Sequence, residues 1–291
     1  MHKPRQLRIA GYPNVRLIEE NMNLVDFVVQ TTILFIDKDW VSESEKKSMT
    51  RIIELAKGLN DEERFMLFKL IINFRIIKLG EYESLIKLSI NTIPPNKINA
   101  LSKIIVMPLI APKHRGKTKS SSLIAYLFKT PDTVLGTSFE GHNIQVIDMI
   151  NPIHLSNINR DGLIFLVDDF IGTGNTAIEC ISDLERIGLK KESVAIITLT
   201  AMKEGVINLS RMGISVFTSI IMDKGISSIE EIEIRTNFIR TMTILEDRYS
   251  IPENYRFGYG KSESLIRLVR PPNNTFPIFW SDKVPNVPFP R

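Results

Sequence analysis

LIFLVDDFIGTGNTA, which runs from Leu163 to Ala177, predicts a buried strand, a glycine-containing turn and the start of a helix. Its first five residues are apolar, which is typical of a strand that is covered on both faces. Asp168 and Asp169 stand at the carboxyl end of that strand, and Gly172 and Gly174 bracket the following turn. In open α/β sheets ligands bind at the carboxyl ends of the strands, so the position of this turn suits binding or catalysis.

The residue types in this turn indicate two kinds of ligand group. Gly172 and Gly174 let backbone N–H groups approach an anion closely, and the helix after them presents its positive end to a phosphate. Thr173 and Thr176 add hydroxyl donors. Adjacent carboxylates suit vicinal hydroxyls or a hydrated divalent cation. Phosphate at the turn and a diol at the acids together describe a ribose 5-phosphate, although acids before glycine also act simply as turn caps.

On both sides of this segment, apolar runs alternate with helical periodicity. Alternating strands and helices at this spacing predict an α/β fold with a parallel sheet and flanking helices. The predicted strands are 103–110, 132–136, 145–150, 163–167, 194–199 and 214–221, and the predicted helices are 121–128, 176–187, 202–212 and 229–247.

The front of the chain has a helical pattern from Val15 to Lys87. Asn60 and Glu63 form a predicted capping box before an apolar helical stretch, and Trp40 is predicted to anchor the loop after an earlier helix. Pro94 and Pro95 interrupt the pattern, since proline removes a donor and restricts its predecessor. The predicted domains are a helical region over 1–98, the α/β domain over 99–225 and a C-terminal helix with a cap over 226–291.

Composition is that of an ordinary globular protein. The 291 residues are 43% apolar and 24% charged with a net charge of +4, which excludes disorder and permits nucleic acid without requiring it. Cys180 is the only cysteine and there are four histidines, so we expect no protein-bound metal and a reducing, cytoplasmic location. The N-terminus lacks a signal-peptide pattern, and the apolar stretch 65–77 is too short and too charged for a membrane span.

A basic loop, Ala111-Pro-Lys-His-Arg-Gly-Lys-Thr118, follows the first predicted strand of the sheet. It fits a relaxed Walker A pattern, with Leu163 to Asp168 as a Walker B strand, so a P-loop NTPase is one alternative. The loop lacks the first glycine of that motif, and Pro112 removes a backbone donor from it. A solvated loop, or one that touches nucleic acid, is the plainer alternative.

The segment with the two acids resembles the 5-phosphoribosyl-1-pyrophosphate (PRPP) motif of type I phosphoribosyltransferases. By this resemblance Asp168 and Asp169 hold the ribose hydroxyls, and the 5-phosphate loop is Gly172, Thr173, Gly174, Asn175 and Thr176. Gly172 departs from the family pattern, because many members have Thr or Ser there. The basic loop would then hold pyrophosphate through Lys113, Arg115, Lys117, Lys119 and Ser120, with Mg²⁺ bound to the substrate.

The tail contains FGYG at 257–260, PNNTFPIFW at 272–280 and PFPR at 288–291. Together with DDFIGTGNT and the helical front half, these segments resemble the phosphoribosyltransferase-like family of bacterial conflict systems, often called PRTase-CE. Packing against a sheet edge is the alternative explanation for the tail, with Asn273 and Asn274 in a turn.

The resemblance implies an effector of antiviral defence that acts at C1 of a ribose in PRPP or a related nucleotide. Related effectors accompany retron reverse transcriptases, so a protein or a nucleoprotein of reverse transcriptase and noncoding RNA is an expected partner. We expect no membrane partner, and oligomers are possible. A non-catalytic nucleotide sensor with a degenerate pocket is the second alternative, and the sequence identifies neither the acceptor base nor the trigger.

Overall fold

A computed structural model describes residues 7–9, 12–17, 22–99, 101, 103–114, 116–150, 158 and 162–291. Its strands are β1 (Leu7–Ile9), β2 (Tyr12–Leu17), β3 (Arg75–Ile76), β4 (Lys103–Pro108), β5 (Asn143–Val146), β6 (Leu163–Ile171), β7 (Val194–Met202), β8 (Ser215–Met222) and β9 (Ile266–Arg267). Its α-helices are α1 (Leu24–Asp37), α2 (Glu43–Lys57), α3 (Asp61–Asn73), α4 (Tyr82–Ile90), α5 (Pro95–Ile98), α6 (Ser120–Leu127), α7 (Pro131–Val134), α8 (Asn175–Arg186), α9 (Lys203–Arg211) and α10 (Ile232–Arg248).

The main sheet has five parallel strands in the order β5-β4-β6-β7-β8. The predicted α/β class with a parallel sheet is therefore confirmed. The chain passes from β4 outward to β5 on one side, and from β6 to β7 on the other. This reversal of direction lies between β4 and β6, and ligands of such sheets bind at the carboxyl ends of the strands at a reversal of this kind.

Each face of this sheet is covered by helices. On one face, alternate residues of β4 and β6 join Ala177, Cys180, Ile181 and Leu184 of α8 in one buried apolar cluster. Their spacing of three and four places them on one side of the helix. Elsewhere α4 packs against β7 and β8, and α6 packs against β4 and β6. The hydroxyl of Ser89 in α4 donates to the carbonyl of Thr198 in β7 at 2.8 Å.

The chain forms two compact units, Ile77–Asp223 and a second made of Met1–Ile76 with Lys224–Arg291. The first contains the sheet together with α4 and α5. The predicted domain boundaries after residues 98 and 225 stay a prediction, and the compact units divide at other positions.

Helix caps and aromatic contacts organise the second unit. The predicted capping box of α3 is present, since the Asn60 side chain accepts from the Glu63 N–H and Glu63 accepts from the Asn60 N–H, both at 2.9 Å. Trp40 packs edge-on against Phe35 at 5.1 Å, after the end of α1. Phe74 contacts two tail residues, Phe279 at 4.7 Å and Phe289 at 4.9 Å.

The predicted strand over 132–136 is wrong, because Pro131–Val134 forms the short helix α7. Proline is favoured in the first turn of a helix, where its fixed φ is already helical and its missing donor is not needed. The apolar stretch 65–77 is helical only to Asn73, and Phe74 is extended. Within the described part of the chain, no helix has the length and apolar character that a membrane crossing requires.

Candidate functional site

The two acids lie in the last four residues of β6, where the strand order reverses. The backbone N–H of Asp169 donates to Asp168 Oδ1 at 2.9 Å. The Ser120 hydroxyl, at the start of α6, donates to Asp169 Oδ1 at 2.8 Å and lies 3.4 Å from Asp168 Oδ1. Tyr82 of α4 adds a side-chain hydrogen bond to Asp169. Three elements of the sheet unit thus converge on one pair of carboxyl groups.

Burial controls the charge of this pair. It raises the pKa of Asp168 well above the usual value for an aspartate, and the negative charge of Asp169 adds to the shift. Burial also raises the pKa of Asp169, whereas the hydrogen bond from Ser120 acts in the opposite direction. Two adjacent carboxyl groups in a poorly solvated site do not ionise independently, so the pair favours one proton between them. Such a pair can both donate to and accept from the hydroxyls of a sugar.

The predicted phosphate loop leads directly into α8. Gly174 precedes the first residue of the helix with a φ of +87°, in the left-handed region that favours glycine. Asn175 and Thr176 are exposed, and the first turn of α8 contains no acidic residue. The Asn175 N–H makes a long contact of 3.4 Å with the Thr173 hydroxyl, and the N–H groups of this first turn suit the binding of a phosphate.

Helix α9 packs against the backbone of the phosphate loop. A Cβ atom on Gly205 would overlap the carbonyl oxygen of Gly172, so only glycine permits this approach of helix to loop. The Asn208 side-chain amide donates to the Thr173 carbonyl at 3.2 Å. A Cβ on Gly174 would lie 3.1 Å from Leu209 Cγ. Contacts with α9 therefore hold the loop in place along its backbone.

The basic loop reaches both parts of the site through different residues. Ser120 contacts the acids, and Lys113 pairs with Glu179 of α8 at 2.8 Å. Lys117 and Lys119 lie near His114: burial lowers the pKa of its imidazole, and the charges of the nearby lysines lower it further. Arg115, the remaining predicted residue of this loop, lies outside the described residues.

The same loop does not have the geometry that a Walker A motif requires. Helix α6 begins at Ser120, two residues after Thr118, and Lys117 is exposed before it. A P-loop passes into its helix at the Lys-Thr pair, where the backbone donors and the lysine surround the phosphates. In this chain the helix start instead places a serine hydroxyl on the acids.

Residues 56–290 match the family model of PRTase-CE. The chain belongs to the PRTase-CE family. Among solved structures, it is similar to orotate phosphoribosyltransferase from Aeropyrum pernix, with 17% identity over 49% of this chain and 71% of that one, at a TM-score of 0.29. APRTase from Giardia lamblia, complexed with 9-deazaadenine, has 12% identity over 50% of this chain and 81% of that one, at a TM-score of 0.31. A hypothetical protein from Neisseria gonorrhoeae with bound ppGpp has 14% identity over 57% of this chain and 97% of that one, at a TM-score of 0.33. No curated protein matches the chain significantly.

Three residues of this PRTase-CE protein reach the candidate site without a sequence prediction. Tyr82 belongs to a stretch predicted as part of the helical front domain, so nothing pointed it toward the sheet. Gly205 gave a usable signal, because a glycine near the start of a helix costs stability unless close contact requires it. Asn208 gave none, since its partner is the backbone of a distant loop.

Proposed function

We propose that this PRTase-CE protein binds PRPP, or a related ribose-phosphate nucleotide, and acts at C1 of the ribose. The observation that carries the proposal is the placement of a carboxyl pair and an open helix start on one strand–turn–helix at the switch point of the sheet. Five residues, Phe170 to Gly174, separate Asp169 from Asn175, the first residue of α8. Family membership supports a phosphoribosyl-transfer type of chemistry.

The proposed reaction breaks the bond between C1 and the oxygen of the leaving group. The bonding electrons leave with pyrophosphate, and a nucleophile such as a base nitrogen or water forms the new bond to C1. Positive charge develops on the sugar, so Asp168 and Asp169 stabilise it through its hydroxyls and through their negative charge. Lysines of the basic loop offset the charge of the departing pyrophosphate. No side chain acts as a nucleophile.

Mg²⁺ fits this proposal as part of the substrate. The described residues contain no group of three or more His, Cys, Asp or Glu that could hold a metal ion. Mg²⁺ commonly binds through phosphate oxygens and water with few protein ligands, so the pyrophosphate of PRPP would hold it. It would supply charge neutralisation to the leaving group.

The double substitution Asp168→Asn with Asp169→Asn tests the proposal. Thermal-shift measurements with Mg²⁺ and PRPP, NAD or each NTP identify the ligand, and released pyrophosphate or free base then measures turnover. We expect the variant to fold and to lose turnover, while Asp132→Asn, an exposed acid of the same unit, behaves as wild type. Equal turnover in the double variant would reject the assignment. Binding without turnover in the wild type would instead favour the nucleotide sensor.

The biological setting belongs to the same proposal. We place the protein in the cytoplasm, as an effector of bacterial antiviral defence that works with a reverse transcriptase or its noncoding RNA. This setting is supported by the family resemblance alone. Phage challenge of cells that carry the wild-type or the doubly substituted chain tests it, because loss of protection should follow loss of the carboxyl pair.

A further inference from the structure

The Ser120 hydroxyl contacts both carboxyl groups of the candidate site. It donates to Asp169 Oδ1 at 2.8 Å and lies 3.4 Å from Asp168 Oδ1. The two carboxyl groups also share a side-chain hydrogen bond with each other. Because the acids are linked in this way, the loss of one hydroxyl would change the surroundings of both.

Helix α6 gives this hydroxyl a defined position. Ser120 is the first residue of the helix, and the Ser122 N–H closes its first turn by donating to the Lys119 carbonyl at 3.1 Å. The helix packs against β4 and β6, and Ile124 and Ala125 on its buried side are at most 2% exposed. A packed helix, rather than the basic loop before it, therefore holds the hydroxyl on the acids.

The number of protons on a serine hydroxyl limits which part of PRPP Ser120 can serve. Serine has one O–H donor and two acceptor lone pairs, and in this site the proton is directed to Asp169. The oxygens of ionised pyrophosphate are acceptors, so they need the proton that Asp169 already receives. The hydroxyls of ribose can themselves donate, so the lone pairs of Ser120 remain compatible with them.

We infer that Ser120 is a positioning residue for the acid pair, and that it belongs to the ribose side of PRPP rather than to the pyrophosphate side. This inference rests on the proposed function. It separates Ser120 from the lysines of the basic loop, with which the family resemblance groups it. Ser120 acts through Asp168 and Asp169 and touches no reacting atom.

Ser120→Ala tests the inference when the two parts of PRPP are offered separately. Calorimetric titration with Mg²⁺ and ribose 5-phosphate should show an affinity about three- to tenfold below that of the wild type, the usual range for one hydrogen bond. Titration with Mg²⁺ and inorganic pyrophosphate should show an unchanged affinity. Ser120→Thr keeps the hydroxyl and should restore the affinity for ribose 5-phosphate.

A second measurement on the same variants needs no ligand. Carboxyl ¹³C NMR of the substrate-free protein should show that the acid pair of Ser120→Ala titrates at a higher pH than that of the wild type. The reason is that the hydrogen bond from Ser120 favours the charged form and so lowers the pKa of each carboxyl group.

Ser121→Ala is the matched control, since it removes the neighbouring hydroxyl of the same helix. Ser121 is 1% exposed, and its Oγ atom has no hydrogen-bond partner among the described residues. This variant should keep the wild-type carboxyl titration and both affinities. A loss of affinity for ribose 5-phosphate equal to that of Ser120→Ala would overturn the inference, because the effect would then come from helix α6 in general.

Three results with Ser120→Ala would also overturn it. They are an unchanged carboxyl titration, a loss of affinity for pyrophosphate alone, and tighter binding of ribose 5-phosphate, which would mean that the hydroxyl competes with the ribose. If the wild type binds neither ribose 5-phosphate nor PRPP, the proposed function fails, and the substrate-free titration still decides whether Ser120 controls the acid pair.

Discussion

At the scale of single residues, the candidate site depends both on polar side chains and on glycines, which have no side chain. Gly174 supplies a left-handed backbone at the start of α8, and Gly205 lets α9 touch the loop. The acids and the loop glycines could be predicted from sequence, because they lie within nine residues of one another from Asp168 to Thr176. Tyr82 and Asn208 could not, since long-range packing brings them to the site.

Gly205→Ala should displace the phosphate loop. Alanine normally stabilises a helix by about 1 kcal/mol relative to glycine, but here its Cβ would overlap the backbone oxygen of Gly172. We therefore expect a net loss of stability of about 1–3 kcal/mol, together with loss of PRPP binding. Urea denaturation and calorimetry measure the two effects. A variant more stable than the wild type with normal binding would contradict the close contact.

Gly174→Ala should weaken phosphate binding more than its cost in stability suggests. Both Gly174 and Gly213 have positive φ, at +87° and +79°, so alanine at either position costs about 1–2 kcal/mol. A Cβ on Gly213 meets nothing within 4 Å, whereas one on Gly174 presses on Leu209. Gly213→Ala is thus the control for backbone strain alone. Equal affinities for PRPP in the two variants would show that the loop tolerates the change.

At the scale of elements, strands and helices with strong local signals were predictable. The capping box of α3 and the apolar run of β6 can each be recognised from a few consecutive residues. Helix α7 was mistaken for a strand because four residues are too few for periodicity to distinguish the two, and Pro131 decided the outcome. The contact of α4 with β7 and β8 could not be predicted from sequence either, because helical periodicity shows which face of a helix is buried but not which element covers it.

Helix α10 should make the stability of its unit depend on pH. Glu246 is 1% exposed, its Oε2 atom has no hydrogen-bond partner among the described residues, and burial raises its pKa from 4.5 to about 7. Because the folded-state pKa is the higher one, the stabilisation is complete below about pH 4.5 and is lost as the pH rises through 7. The whole effect is at most about 3 kcal/mol.

Glu246→Gln should remove this dependence, since the amide is neutral and can still accept from the Phe257 N–H. Urea denaturation at pH 5 and pH 8 measures the free energy of unfolding of both proteins. We expect similar values at pH 5 and a more stable variant at pH 8. Glu233→Gln, which changes an exposed acid in the first turn of α10, is the control. A wild-type curve that stays parallel to that of Glu246→Gln would contradict the assignment.

At the scale of the whole molecule, one unit is continuous in sequence and the other is not. Ile77–Asp223 contains every described residue of the candidate site, and its main apolar cluster is complete within it. Sequence patterns could not reveal that residues 1–76 and 224–291 form one unit, because pairings such as β3 with β9 join segments far apart in the chain.

The segment 77–223 should therefore fold when it is produced alone. A self-contained core favours independent folding. Circular dichroism should show a cooperative thermal transition, and NMR should show the Tyr82 contact with Asp169. A segment without a cooperative transition would mean that its core needs the remainder of the chain.

The division into units also distributes the natural spectroscopic probes. Both tryptophans, Trp40 and Trp280, belong to the discontinuous unit, and the single thiol, Cys180, is a buried residue of α8 in the sheet unit. Intrinsic fluorescence thus monitors one unit, and the rate of reaction with a thiol reagent monitors the other. Unfolding of the two units can therefore be followed separately in the unlabelled wild-type chain.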